Sequence, residues 1–450
     1  MDDFDDDAAG ERFVDHRTAP TRTGLVVPLV RGAETAHPIE TRRSEFKGLA
    51  GAIRLDIVFD EVVRVREVKP GTYLGGGQVE EIKKKVAEGQ VELVLVDAAL
   101  APVQQRNLET EIGAKVLDRT GLILEIFGER AATREGVMQV ELAHLNYQRS
   151  RLVRSWTHLE RQRGGFGFLG GPGETQLESD RRQLEDRIRL IEDRLGKVKR
   201  SRGQQRSQRE AAELAVVALV GYTNAGKSTL FNRLTGAGVF AENLLFATLD
   251  TTIRRIDLPH GRAVTLSDTV GFVADLPTML VAAFRATLEE VTEADVILHV
   301  RDIATEDSAA QAVDVLKVLG ELGVSADATP IIEVWNKVDL LGSDSEQHRN
   351  GLLHIHPAGT VGAAVPISAQ TGEGIPALLD ALETTLGAKS RTYRVHVPHA
   401  QGADVGWLYG HAEIIGKDEP DERGQTYQVR VDQRHKAAFT SRFAGRIDAL

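Results

Sequence analysis

The sequence predicts an α/β protein of four folded parts, on the strength of three observations. Short apolar runs alternate with helix-patterned stretches over residues 23–135 and again over 211–388. Between them, within 136–210, apolar side chains recur at alternating four- and three-residue spacing in two long segments. The last part, 389–450, carries strand-like pieces at 393–397 and 427–431 and predicts a small α+β domain. A chain of 450 residues exceeds what one hydrophobic core ordinarily serves, so several domains are expected.

Residues 1–22 hold an Asp run without hydrophobic periodicity and read as an acidic disordered tail. In the N-terminal α/β domain, residues 25–30 and 91–96 read as strands and 79–86 as a helix. Residues 122–127, an unbroken apolar stretch apart from Glu125, read as a further strand.

In the middle region Met138, Leu142, Leu145, Leu152, Trp156 and Leu159 form one seam, with Arg149 at the skipped position. Leu184, Ile188, Ile191, Leu195 and Val198 form a second. Two heptad helices with a short connection predict an antiparallel coiled-coil hairpin. The connection, 164–173, holds six glycines and one proline, which stop both helices. Phe166, Phe168 and Leu169 sit at its tip. They either pack on a neighbouring domain or form an adaptable tip that enters a partner, with Arg161 and Arg163 at the neck.

Net charge is −11, which by itself argues against a nucleic-acid partner. From Arg149 to Glu210, however, 16 Lys and Arg face 9 Asp and Glu, a local +7 that leaves −18 for the rest. This is either a solvated helix face or a polyanion footprint. Absence of cysteine excludes disulfides, Cys-ligated zinc and thiol catalysis. No apolar run approaches a membrane span, and the acidic start is unlike a signal peptide. A cytoplasmic protein is expected, with part of the pool at a membrane.

The chemistry-bearing motifs lie in 211–388. An apolar strand, 214–220, runs into Gly221-Tyr222-Thr223-Asn224-Ala225-Gly226-Lys227-Ser228-Thr229, and helix-patterned Leu230 and Leu234 follow. Backbone N–H groups of such a loop curl around phosphates, and the helix N-terminus adds its dipole. Lys227 supplies a point charge to the β- and γ-phosphates, and the Ser228 hydroxyl is a hard ligand for Mg²⁺. Strand 264–267 then delivers Asp268-Thr269-Val270-Gly271. The carboxylate there can hold Mg²⁺ through water, and the Gly271 N–H can meet a γ-phosphate. Strand 331–335 delivers Asn336-Lys337-Val338-Asp339. Asp339 can accept hydrogen bonds from guanine N1–H and the amino group. Adenine lacks that donor pair and would leave a buried carboxylate unpaired. The Lys337 stem can lie along the base, and Asn336 can tie this loop to the phosphate loop. Residues 365–367 lead to Ser368 and Ala369, whose backbone N–H groups can contact guanine O6, with Gln370 next in the loop. Four such elements in order, each after a strand, predict a P-loop GTPase domain that takes GTP rather than ATP. Between the first two lies Phe246-Ala247-Thr248-Leu249-Asp250-Thr251-Thr252, where a loop hydroxyl should reach Mg²⁺ and the γ-phosphate. Spacing permits Thr248, Thr251 or Thr252.

These residues resemble the HflX family of ribosome-associated GTPases. The resemblance extends beyond the GTPase motifs to Gly71-Thr72-Tyr73-Leu74-Gly75, Gln104-Gln105-Arg106-Asn107-Leu108-Glu109 and Asp118-Arg119-Thr120-Gly121-Leu122-Ile123-Leu124. It also takes in Gly170-Gly171-Pro172-Gly173-Glu174-Thr175-Gln176-Leu177-Glu178. It implies binding to the large ribosomal subunit and its rRNA, and splitting or rescue of stalled ribosomes, often under stress. It also implies that Thr248 is the switch threonine, which makes Lys227, Thr248 and Gly271 the catalytic set and Ser228, Thr248 and Asp268 the Mg²⁺ set. Arg161, Arg163, Phe166 and Phe168 are the candidate RNA contacts. The family pattern has an uncharged residue before Asp302, where this chain has Arg301. A monomer is expected.

Phe272 stands directly after Gly271, where many GTPases carry a water-orienting Gln. Slow intrinsic turnover, accelerated by a partner, is therefore expected. Asn224 adds a further reading, a K⁺ beside the β- and γ-phosphates. Gly76-Gly77-Gln78 matches a peptide-release tripeptide but sits at a helix start, where glycines form turns. His354 and His356 lack an accompanying ligand set. The alternatives are a GTPase of rRNA maturation or tRNA modification, an RNA-remodelling ATPase, and a nucleotide-gated scaffold.

Overall fold

The computed structural model describes residues 20–449 except 33–35, 163–171, 212–213, 238–244, 247–248, 250, 260–261, 278–279, 281–287, 326–328, 342–363, 389, 422 and 433–434. The chain divides into two compact units, residues 1–126 with 151–166, and residues 127–150 with 167–450.

The first unit is built on a parallel sheet in the order β2-β1-β3-β4. Its strands are β1 (Arg22–Val30), β2 (Asp56–Val65), β3 (Leu93–Val96) and β4 (Lys115–Asp118). Helices α1 (Ile39–Ala52), α2 (Gly76–Gly89) and α3 (Pro102–Ile112) connect them. Leu25, Val26 and Val27 of β1 and Val94, Leu95 and Val96 of β3 are all buried, as continuous apolar runs in central parallel strands must be.

Residues 122–127 do not form the expected strand. They belong to helix α4 (Arg119–Arg130). Asp118, the last residue of β4, accepts the Gly121 N–H at 2.8 Å and so caps the helix. Leu122, Ile123, Leu124, Ile126 and Phe127 are all buried, and an apolar run enclosed on every side carries no periodicity to separate helix from strand.

Two glutamines start helices by the same device. The Gln78 side chain accepts the Gly75 N–H at 2.9 Å and donates to Arg64 O at 2.6 Å. Gln104 accepts the Ala101 N–H at 2.8 Å and donates to Lys69 O at 3.0 Å. The tripeptide Gly76-Gly77-Gln78 is thus the first turn of α2. Its neighbours in α3 stitch loops together: Asn107 donates to Gly71 O at 2.9 Å and Gln105 to Val116 O at 2.6 Å.

At the carboxyl ends of these strands lies a buried charged cluster. Arg119 donates to Asp97 at 2.8 Å and also pairs with Glu45, while Arg42 reaches Asp97 at 3.1 Å. Burial opposes the Arg119 charge, but Glu45 and Asp97 outweigh it and hold its pKa above the ordinary value.

Helices α5 (Arg134–Gln162), whose residues 134–150 belong to the second unit and 151–162 to the first, and α6 (Pro172–Ala211) are the long helices of the middle region. Arg187 of α6 donates to Glu141 of α5 at 2.8 Å, and Ile188 and Ile191 of α6 are buried. On α5 the seam residues Met138, Leu142 and Leu145 are half-buried, whereas Val140 and Ala143 are fully buried. The buried arc is therefore wider than a two-helix seam. Arg161 lies in α5, but its side chain, like Arg163, Phe166 and Phe168 of the connection, falls outside the described residues.

A six-stranded sheet follows, in the order β10-β9-β8-β5-β7-β6. It comprises β5 (Ala215–Val220), β6 (Thr252–Asp257), β7 (Ala263–Asp268), β8 (Val296–Asp302), β9 (Ile331–Asn336) and β10 (Val365–Pro366). Only the edge strand β6 runs antiparallel. Helices α7 (Lys227–Thr235), α8 (Glu289–Thr292), α9 (Ser308–Glu321) and α10 (Ile375–Ala388) accompany it. Because β5, β7, β9 and β10 are parallel, each motif that follows one leaves the sheet at the same end.

The C-terminal part is an antiparallel sheet, β12-β13-β11-β14. Strands β11 (Ser390–Pro398), β12 (Glu413–Lys417), β13 (Gly424–Asp432) and β14 (Ile447–Ala449) carry helices α11 (Gly402–His411) and α12 (Lys436–Arg442). Val395, Val429, Leu408, Phe439 and Phe443 form its core. Among the described residues no helix is long and apolar enough to cross a membrane.

Arg119→Met should destabilise the protein by about 3–5 kcal/mol, because it leaves Asp97 and Glu45 buried without their main counter-charge. Urea unfolding followed by circular dichroism measures this, and a change under 1 kcal/mol would mean that Arg42 alone suffices.

Candidate nucleotide site

The loop 221–226 joins β5 to α7 and wraps around its own lysine. Lys227 is buried, and its Nζ donates to Gly221 O at 3.1 Å and Tyr222 O at 2.8 Å. Burial pushes this amine down to about 8, against the opposing pull of Asp268. Gly226 has φ +95°, and a Cβ there would lie 2.2 Å from Asn336 Nδ2, so both backbone and space demand glycine. Asn224 takes φ +60°, a left-handed conformation that Asn tolerates better than most residues.

Ser228 Oγ donates to Asp268 Oδ2 at 2.6 Å, and Asp268 is fully buried at the end of β7. Thr269 Oγ1 donates to Leu219 O at 2.6 Å and fixes that strand end against β5. Two hard oxygen donors thus converge beside the phosphate loop, the chemistry that Mg²⁺ requires. The Thr223 hydroxyl is buried there with no hydrogen-bond partner among the described residues. A Cβ on Gly271 would lie 2.8 Å from Thr223 Cγ2 and 3.1 Å from Lys227 Nζ, so only glycine brings this backbone so close to the lysine. Phe272 is fully buried and offers no polar group.

On the base side one carboxamide joins three loops. Asn336 Nδ2 donates to Ala225 O at 2.8 Å, and its Oδ1 accepts the Ala369 N–H at 2.9 Å. Lys337 has φ +69° and donates to Asp302 Oδ2 at 2.7 Å. Asp339 is exposed, contrary to the expectation of a buried carboxylate, because 338–340 form a single 3₁₀ turn beyond the end of β9. Any burial of this carboxylate would have to come from a bound base. The Ser368 N–H is given to Glu373 O at 3.0 Å and that of Ala369 to Asn336, so neither is available for guanine O6 in this arrangement. The Gln370 N–H has no acceptor among the described residues and is the better donor for that role.

The loop between α7 and β6 is anchored at two of its described residues. Phe246 (φ +57°) and Leu249 are buried, and the Phe246 ring meets Phe127 edge-on with centroids 4.7 Å apart. Ala247, Thr248 and Asp250 lie outside the described residues, as do His354 and His356.

Two features escape sequence reading. Arg233 of α7 donates to Ala369 O at 2.6 Å and also to Gln370 O, tying the base loop to the phosphate-loop helix. A lone Arg on an amphipathic helix carries no signal of this. Arg301 is buried on β8 and donates to Glu333 Oε2 at 2.9 Å, and His299 Nδ1 lies 2.8 Å from the other Glu333 oxygen. Burial raises the Glu333 pKa, but His299 and Arg301 outweigh it and hold it below the ordinary carboxylate range. The charge before Asp302 is thus neutralised inside the sheet.

Sequence comparison agrees with this geometry along the chain. Residues 40–128 match the GTP-binding GTPase N-terminal family, 130–209 the GTP-binding GTPase middle region, 216–337 the 50S ribosome-binding GTPase family and 355–448 the HflX C-terminal domain. The GTPase HflX of Magnetococcus marinus is 48% identical over 378 residues, 84% of this chain and 85% of that protein. The chain belongs to the HflX GTPase family. The HflX GTPases of Escherichia coli strain K12 (46% identical, covering 80% of this chain and 83% of that protein) and Caldanaerobacter subterraneus (41%, covering 87% and 88%) are similarly related. Like other HflX proteins it is a GTP-binding enzyme that hydrolyses GTP, built on a P-loop GTPase fold.

Asn336→Ala removes both links at once and should weaken GDP binding by about 1–3 kcal/mol. Arg233→Ala, which loosens only the base loop, should cost less. Fluorescent-GDP titration ranks the two, and the reverse order would contradict the central place given to Asn336.

Proposed function

We propose that this chain is a Mg²⁺-dependent GTPase that binds the large (50S) ribosomal subunit and its rRNA and splits or rescues stalled ribosomes under stress. It acts in the cytoplasm as a monomer, and its GTP cycle times its grip on the ribosome. The observation that carries this reading is the buried Phe272 directly after Gly271. With no polar side chain at that position to orient water, turnover is slow until a partner completes the site. The match of 216–337 to the 50S ribosome-binding GTPase family supports a ribosomal partner, and the basic stretch from Arg149 to Glu210 offers charge for rRNA phosphates.

In this mechanism Lys227 neutralises the β- and γ-phosphates, and the Gly271 N–H detects the γ-phosphate. Asp339 reads the guanine edge, and Asn336 holds the base loop to the phosphate loop. Ser228 and Thr248 would hold Mg²⁺ directly and Asp268 through water; the ion supplies charge neutralisation on the phosphates. Asn224 would face a K⁺ serving in place of an arginine finger, which a comparison of ribosome-stimulated turnover in K⁺ and Na⁺ tests. Arg161, Arg163, Phe166 and Phe168 would meet RNA at the hairpin tip.

Sedimentation with 70S ribosomes and a non-hydrolysable GTP analogue should place the protein with the 50S subunit; its absence from that fraction would refute the ribosomal reading and leave the GTPase intact. Asp339→Asn should shift preference from GTP towards xanthosine triphosphate, as judged by competition binding. Retained GTP preference would refute the base-pocket assignment.

A further inference from the structure

The segment after Gly271 is fastened to the phosphate loop by three hydrogen bonds in a row. Thr223 N–H donates to Phe272 O at 2.7 Å, Phe272 N–H donates to Gly221 O at 3.2 Å, and Ala274 N–H donates to the Tyr222 hydroxyl at 2.6 Å. Tyr222 and Phe272 thereby form a short parallel β-bridge beyond the end of the main sheet. The first two bonds use backbone alone, and almost any sequence could make them. The third needs a phenol at position 222. Tyr222 is 6% exposed, and Phe272, Val273 and Ala274 are buried beside it, so the bond is shielded from competing water. The fastened stretch ends at Asp275, whose φ of +49° turns the chain away.

The position of Gly271 follows from this. It directly precedes the fastened stretch, and its Cα faces Thr223 and Lys227 so closely that a Cβ would meet Lys227 Nζ at 3.1 Å. Gly271 is the group assigned above to sense the γ-phosphate, and Lys227 is the charge that same phosphate would meet.

We propose that the Tyr222 hydroxyl is a latch on the segment 272–274, a positioning residue that sets the distance of the Gly271 N–H from Lys227 and so sharpens the distinction between GTP and GDP. This rests on the nucleotide-site reading above and adds a determinant to it. The latch acts on the third phosphate because the residues it holds follow the γ-phosphate sensor, while the rest of the phosphate loop is formed by its own glycines and helix.

The test is Tyr222→Phe, which keeps the ring and its packing and removes the hydroxyl that accepts the Ala274 N–H. Affinities for GDP and for a non-hydrolysable GTP analogue are measured by stopped-flow fluorescence on the full chain. The ratio of the two should move against the GTP analogue by about 5- to 10-fold, the weight of one buried hydrogen bond. Ala274→Pro removes the donor instead and should shift the ratio in the same direction. The double variant should fall no further than the lower single one, since both remove the same bond. An unchanged ratio in Tyr222→Phe, an equal loss for both nucleotides, or additive losses in the double variant would each overturn the latch. Failure of the unmodified protein to bind either nucleotide would instead strike the nucleotide-site reading itself.

Discussion

The side chain of Asn336 holds a loop at each end of its amide, Ala225 O on one side and the Ala369 N–H on the other. Strand β8 stands between β9 and β5, so the link passes over a strand that contributes nothing to it directly. Without it the phosphate loop and the base loop would be neighbours only by courtesy of the sheet. The contact also explains why Gly226 must lack a Cβ, since the amide nitrogen occupies the space that one would need. Arg233 repeats the connection from the helix side. A nucleotide that spans both loops therefore meets a preset distance between its phosphates and its base.

Behind this surface the sheet buries charge near its ends. Glu333 is satisfied from two sides by His299 and Arg301, and one residue further along β8 Asp302 engages Lys337. Neighbouring charges are thus divided between interior and rim. The N-terminal sheet uses the same tactic at its own carboxyl end with Arg119, Asp97 and Glu45. In both places a buried ion is tolerable because its partners are multiple and in direct contact.

Much of this was legible in the amino-acid order. Central parallel strands are unbroken apolar runs, which is why β1, β3, β5 and β9 stand out, and a phosphate loop demands glycines at positions that few other loops share. The failures have separate causes. Helix α4 looked like a strand because enclosure on all sides erases the alternation that distinguishes the two. The exposure of Asp339, the use of the Ser368 N–H inside its own loop and the capture of the Ala369 N–H by Asn336 depend on how turns close, which residue type alone does not dictate. Arg233 and the Arg301–Glu333 pair are long-range contacts between residues that are unremarkable in isolation.

Two effects of opposite sign meet at Phe246. A non-glycine residue in the left-handed region costs roughly 1–2 kcal/mol, and an edge-on aromatic pair contributes about 0.5–1.5 kcal/mol beyond simple burial. The two are of the same size and opposite sign. The edge-on contact alone therefore does not offset the strain at Phe246, and burial of its ring, worth roughly 1.5–3 kcal/mol, supplies what keeps this residue in its left-handed conformation.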